Sequence, residues 1–96
     1  MTAPVKAVAV QSLSDASASP GAYKFGSRPD GRLWLNYICP CGCGRLGGVQ
    51  ISVDGQRPRV WAWDGNRDVP TLSPSIQHMD DCRWHGWLRN GEWITC

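Results

Sequence analysis

Two short segments rich in metal-ligating side chains constrain the fold of this chain more than any other feature. The first, Cys39-Pro40-Cys41-Gly42-Cys43-Gly44, carries three thiols, and the second, Cys82-Arg83-Trp84-His85-Gly86, combines a thiol with an imidazole. Neither pattern is typical of a regular strand or helix. Zinc prefers sulfur and nitrogen ligands in a tetrahedral arrangement, so we expect two loops that close on one metal ion.

More ligand candidates are present than one tetrahedral ion needs. A Cys₃His site would use Cys82, His85 and two of the first three cysteines, and would leave the remaining cysteine as a spare. We expect Zn²⁺ in a closed, structural site, because the cysteines are so densely spaced. His78 is expected at a strand end or facing solvent rather than on the metal. The predicted metal-ligating residues are Cys39, Cys41, Cys43, Cys82 and His85.

Cysteine usage and charge indicate a cytoplasmic protein. The chain has five cysteines, an odd number, and its N-terminal apolar run is too short for a secretory signal. Reduced thiols and metal sites are more common than disulfides in the cytosol. No segment approaches the roughly 18 apolar residues of a membrane span, so no membrane partner is predicted. The net charge of +2 is too small to indicate nucleic acid by itself.

Apolar runs separated by turn residues predict a small, mostly β domain. Leu33–Ile38 is a continuous apolar strand that leads directly into Cys39, and Val49–Val53 alternates between apolar and polar residues. Asn90-Gly91 between two apolar runs predicts a hairpin. We therefore expect an antiparallel sheet in a single domain with two metal-binding loops, similar to a zinc ribbon or a Rieske domain.

The two ends of the chain differ in composition. Residues 1–21 are rich in alanine, serine and valine and are expected to form a flexible N-terminal arm. Residues 22–96 are expected to form the metal-binding β domain, with Lys6–Val10 as a candidate edge strand. Six tryptophans can supply a core in few residues. Pro70–Ile76 is too rich in proline for a central strand and is expected to be extended.

The second cysteine segment is similar to a ligand box of the Rieske iron–sulfur proteins. In Cys82-Arg83-Trp84-His85-Gly86-Trp87, a cysteine and a histidine stand at the same spacing before glycine. The resemblance implies a [2Fe–2S] cluster as an alternative cofactor. The counterpart of the first Rieske box is Cys39-Pro40-Cys41, which has cysteine where those proteins have histidine.

A second resemblance covers the chain from about Leu33 to its C-terminus. The segments C-P-C-G-C-G, P-T-L-S-P-S-I and C-x-x-H-G, in this order, resemble a family of short phage and prophage proteins of unknown function. The resemblance implies that the cysteines, Pro70–Ile76 and His85 are shared positions. It also implies an accessory protein that acts on a host protein.

The leading functional hypothesis is a non-enzymatic, zinc-stabilised binding module. Thr71, Ser73 and Ser75 are the predicted partner contacts, and no catalytic residue is predicted. The alternatives are a nucleic-acid-binding zinc protein and a Rieske-like electron-transfer protein. A zinc hydrolase would need an open metal position and a base such as Asp80 or Asp81.

Overall fold

The regular structure of this chain is entirely β. The computed structural model describes residues 3–14, 19–79 and 82–96, and within these ranges it contains strands and turns but no helix. The predicted mostly β class is confirmed. Since the described residues form no helix, none of them makes a helix that could cross a membrane. The strands are β1 (Val5–Lys6), β2 (Val8–Ala9), β3 (Ala22–Ser27), β4 (Leu33–Ile38), β5 (Leu46–Ser52), β6 (Val60–Trp63), β7 (Leu72–Ser73), β8 (Ile76–Gln77), β9 (His85–Arg89) and β10 (Glu92–Thr95).

The strands are arranged in two sheets. A four-stranded sheet has the order β1-β10-β9-β8 and is antiparallel throughout. A six-stranded sheet has the order β2-β3-β4-β5-β6-β7, in which β2–β3 and β5–β6 are parallel pairs. The sequence did not predict these parallel pairs. The proline-rich segment supplies β7 and β8, and each lies at the edge of its sheet.

Local sequence explains the best-defined elements. Strand β4 spans the predicted Leu33–Ile38, with Leu35 and Tyr37 buried on one face. The hairpin between β9 and β10 turns at Asn90 and Gly91, whose φ angles are 49° and 74°. Positive φ at both positions is what a tight hairpin turn requires, and the predicted hairpin is confirmed.

The core lies between the two sheets and is dominated by aromatic rings. Tyr23 and Tyr37 of the larger sheet are buried in the same cluster as Trp93 of the smaller sheet. The ring centroid of Trp93 lies 4.8 Å from that of Tyr37, with the two rings tilted by 40°, and 5.8 Å from that of Trp84 in an edge-on contact. Trp63 is also buried, so tryptophans do supply a large part of the core.

The N-terminal segment contributes to both sheets. Val5–Lys6 pairs with β10 and Val8–Ala9 pairs with β3. Ala7 lies buried between these strands, and its N–H donates to the carbonyl of Gly91 at 2.8 Å. Residues 1–2 and 15–18 of the predicted arm lie outside the described residues. The division into an arm of residues 1–21 and a domain of residues 22–96 stays a prediction.

Gly86 lies in β9 where no other residue fits. A Cβ at this position would collide with the carbonyl oxygen of Ile94 and would lie 2.5 Å from Cζ2 of Trp84. Because overpacking of this kind costs about 1–3 kcal/mol or more, we expect Gly86→Ala to lower the free energy of unfolding by at least that amount in urea denaturation. The matched control is Gly26→Ala, whose Cβ would meet only Nδ2 of Asn36, at 3.2 Å. Equal stability of the two variants would contradict this packing argument.

Candidate functional site

Four cysteines from two loops gather at one end of the molecule. Cys39, Cys41 and Cys43 lie between β4 and β5, and Cys82 lies between β8 and β9. Their Sγ atoms all lie within 4.8 Å of one another, with Cys39 at 3.2 Å from Cys41 and 3.5 Å from Cys82. A tetrahedral zinc ion with Zn–S distances of about 2.3 Å places its sulfurs about 3.8 Å apart. The donor set therefore fits a zinc ion.

The first loop is shaped by its glycines and by one main-chain contact. Gly42 and Gly44 have φ angles of 93° and 84°, a region that favours glycine. The N–H of Cys39 donates to the carbonyl of Arg45 at 2.8 Å and closes the loop at its base. Cys39 is buried, whereas Cys41 and Cys43 are exposed. The loop thus presents its thiols from a fixed base toward Cys82.

His78 connects the cysteine cluster to the core. Its Nε2 lies 2.7 Å from the Tyr37 hydroxyl, and its Nδ1 lies 3.8 Å from Sγ of Cys82. Burial raises the pKa of Tyr37, so this phenol stays protonated and can donate to Nε2. Nδ1 then carries the proton and faces the Cys82 sulfur. His78 is buried, and it would support Cys82 as an outer-shell partner if this cysteine binds a metal ion.

The thiols of the cluster differ in their acidity. The hydrogen bond from His78 lowers the pKa of Cys82 to about 6, and the main-chain N–H of Trp84 adds to this effect. Burial raises the pKa values of the Cys39 and Cys41 thiols. Since metal ligation requires thiolates, binding of a metal ion must release protons. Metal affinity should therefore weaken as the pH falls.

His85 lies outside the group of four thiols and contacts a serine instead. Its Nε2 lies 2.9 Å from Oγ of Ser75, and both residues are half-buried. Strand pairing produces this contact: β8 begins directly after Ser75, β9 begins at His85, and Gln77 pairs with His85. A hydroxyl within hydrogen-bond distance of an imidazole is the arrangement that activates a serine nucleophile.

The structure places the predicted site residues in different settings. It brings together four of the five predicted ligands; that His85 binds the metal stays a prediction, as does metal binding by the set as a whole. The Thr71 hydroxyl accepts a hydrogen bond from the N–H of Asn90 at 2.9 Å, and Ser73 is exposed on β7. Their predicted role as partner contacts is also untested. Asp80 and Asp81, the candidate bases, lie outside the described residues.

Sequence reasoning did not pair Ser75 with His85. It assigned Ser75 to a contact strip and His85 to the metal, because a C-x-x-H spacing is typical of metal sites. The chain has no G-x-S-x-G segment of the kind that marks a serine nucleophile in other folds. The available signal was weaker: a serine after proline at a predicted strand end, ten residues before a histidine.

Loss of individual ligands should distinguish a four-cysteine site from a Cys₃His site. We expect about one zinc per chain by elemental analysis, and we expect loss of that zinc in each of four variants: Cys39→Ser, Cys41→Ser, Cys43→Ser and Cys82→Ser. His85→Ala should retain zinc if the four thiols are the ligands, and should lose it if the site is Cys₃His. The exposed Cys96 lies outside the group, so Cys96→Ser is the matched control. Visible absorption with bound iron would instead indicate an iron–sulfur cluster.

Comparisons with known proteins identify a family. No curated protein and no solved structure matches the chain. Residues 10–96 match the model of a family described as bacterial ubiquitination-like system serine protease (BubE). This match includes the four-cysteine group as well as Ser75 and His85, and it covers nearly the whole sequence. The chain belongs to the BubE family.

Proposed function

We propose that this protein is a serine peptidase in which Ser75 is the nucleophile and His85 is the general base. The observation that carries the proposal is the 2.9 Å distance between Oγ of Ser75 and Nε2 of His85. It is supported by the family description, which names a serine protease. No other serine among the described residues has a hydroxyl hydrogen-bonded to an imidazole.

The reaction would proceed in two acyl-transfer steps. Oγ of Ser75 attacks the substrate carbonyl while its proton passes to Nε2 of His85. The tetrahedral intermediate collapses, His85 protonates the leaving amine or alcohol, and the acyl group remains on Ser75 as an ester. Water then attacks this ester and gives its proton to His85, which returns it to Oγ as the acid product departs.

Neighbouring main-chain contacts hold the pair in place. The indole N–H of Trp61 donates to the carbonyl of Ser75 at 3.3 Å, and the carbonyl of His85 accepts from the N–H of Cys96 at 2.9 Å. In the described parts of the chain, the main-chain N–H of Ser75 has no acceptor, so it is available to stabilise an oxyanion. Nδ1 of His85 likewise has no partner there.

The four cysteines would hold a zinc ion with a structural role. Four thiolates leave no position for water, and closed sites of this kind stabilise folds rather than activate water. The ion supplies a cross-link between the two loops. Cys82 lies three residues before His85, and His78 lies three residues after Ser75 and contacts Cys82. The zinc ion would therefore fix both sides of the Ser75–His85 pair.

The family description also suggests a substrate class. It assigns the serine protease to a bacterial ubiquitination-like system. We propose that the bond cleaved is an amide or ester between a protein component of such a system and its attached group. Acyl transfer through Ser75 suits both bonds, because each presents a carbonyl carbon and a leaving group that His85 can protonate.

A binding module is the second candidate. The exposed apolar side chains of Leu46 and Met79, which are 62% and 79% exposed, lie next in sequence to the cysteine loops. They favour contact of this end of the molecule with another protein. A phage origin, a host-protein partner and nucleic-acid binding remain hypotheses from the sequence. Wild-type function in a Ser75→Ala variant would favour this second candidate.

A fluorophosphonate probe should label Ser75. We expect stoichiometric labelling, located by peptide mass spectrometry, and we expect Ser75→Ala to abolish it. His85→Ala should slow labelling at least about 100-fold, because a general base contributes factors of this size or more. Ser73→Ala, which changes an exposed serine two residues away, should label at the wild-type rate. Labelling of Ser75→Ala at the same rate would exclude this serine as the nucleophile.

Metal removal should affect both stability and labelling. Chelation of a structural zinc ion that closes a loop of about 40 residues removes folding free energy, so we expect the melting temperature to fall by more than about 10 °C. Labelling of Ser75 should fall at temperatures where the metal-free protein has lost its fold, and added zinc should restore it. Chelated protein that is free of metal but keeps its melting temperature would contradict the structural role.

A further inference from the structure

A groove that is lined by Ile76, the residue directly after Ser75 in the chain, is bordered by two strands from different sheets. It has a volume of about 380 Å³. Gly47 to Gln50 of β5 line one side. The other side is lined by Ile76 and Gln77 of β8 and by His78, which follows this strand. Trp34 and Trp61 are also part of its wall. We call this space the edge groove, because both strands leave main-chain groups unpaired beside it.

The first unpaired edge belongs to β5. This strand pairs with β4 from Leu46 to Ile51, but its pairing with β6 begins only at Gln50. In an antiparallel ladder, successive residues direct their main-chain groups alternately toward and away from the partner strand. Arg45 is bonded toward β4, through the N–H of Cys39. The alternation therefore directs the N–H and C=O of Gly48 away from β4.

The second unpaired edge belongs to β8. This strand is the last of its sheet and pairs only with β9. The N–H of His78 donates to the carbonyl of Trp84 at 2.8 Å, so His78 is bonded toward β9. Alternation then directs the N–H and C=O of Gln77 away from β9. The carbonyl of Ser75 faces the same way, since it accepts from Trp61 of the other sheet.

We propose that the edge groove binds the acyl side of the substrate as an extended polypeptide strand, hydrogen-bonded to the main chain of Gln77 and Gly48. This inference rests on the proposed peptidase function. Gln77 is two residues from the nucleophile, so a strand paired with it reaches Ser75 directly. The acyl half stays bonded to Ser75 after the leaving group departs, so contacts beside the nucleophile keep that half in place for hydrolysis.

The chemistry of the groove favours a peptide with an acidic side chain. Strand addition to an open edge supplies main-chain hydrogen bonds, and neighbouring pockets select side chains. The exposed Arg59 lines the groove, and no Asp or Glu among the described residues does. An acidic residue of the added strand would therefore meet a complementary charge.

Two ester substrates of different length distinguish binding in the groove from catalysis by the Ser75–His85 pair. The short probe is the 4-nitrophenyl ester of acetyl-alanine, and the long probe is the 4-nitrophenyl ester of acetyl-Ala-Glu-Ala-Ala. We expect kcat/KM of the wild type to be at least about tenfold higher for the long ester, since one or two hydrogen bonds are worth about this factor. Gln77→Pro removes the unpaired N–H of this edge position and should lose the advantage. Gln77→Ala should keep it, and the quantity compared is the ratio of kcat/KM for the long ester to that for the short ester within each protein.

Several results would overturn the inference. Absence of a length advantage in the wild type would do so, as would an unchanged advantage in a Gln77→Pro protein that keeps its melting temperature. If this variant does not fold, the wild type is tested instead with a long ester whose alanine nitrogens are methylated. Equal rates for the methylated and unmethylated esters would exclude main-chain pairing.

Binding can be measured independently of catalysis. We expect acetyl-Ala-Glu-Ala-Ala amide to shift the NMR amide signals of Gly48 and Gln77 in ¹⁵N-labelled Ser75→Ala protein. If the wild type hydrolyses neither ester and these signals still shift, the peptidase proposal fails while the groove stands as a peptide-binding site. If the signals do not shift, the inference about the groove fails, whatever the activity of the wild type.

Discussion

The convergence of four thiols from two distant loops is the constraint on which the rest of the structure depends. The loops are separated by about 40 residues of chain, and a domain of this size has a thin margin of stability. Cys39 directly follows β4 of the larger sheet, and Cys82 precedes β9 of the smaller sheet. A metal ion bound by these thiols would therefore join the two sheets as well as the two loops, and it would fix the point from which His85 enters β9.

The sequence predicts those parts of the structure that local patterns determine. Strand β4 could be assigned to its observed bounds because an unbroken apolar run leads into a cysteine loop. The β9–β10 hairpin could be assigned because Asn90 and Gly91 are suited to positive φ angles. The gathering of Cys82 with Cys39, Cys41 and Cys43 followed from spacing and ligand chemistry.

The remaining features depend on contacts that no local pattern encodes. The Ser75–His85 pair requires β8 to take one register against β9, in which Gln77 opposes His85. Slippage of β8 by one residue would place the serine hydroxyl and the imidazole on opposite faces of the sheet. The parallel pairing of β5 with β6, and hence the open edge at Gly48, depends in the same way on long-range packing. Open edges normally favour unwanted association with other chains, and here two of them, at Gly48 and Gln77, line one groove.

The N-terminal segment Val5–Ala9 has a mechanical consequence. One half of it extends the smaller sheet through β10, and the other half extends the larger sheet through β3, with Ala7 buried between them. A pull on this segment, from a fused domain or from an unfolding machine, is therefore divided between both sheets.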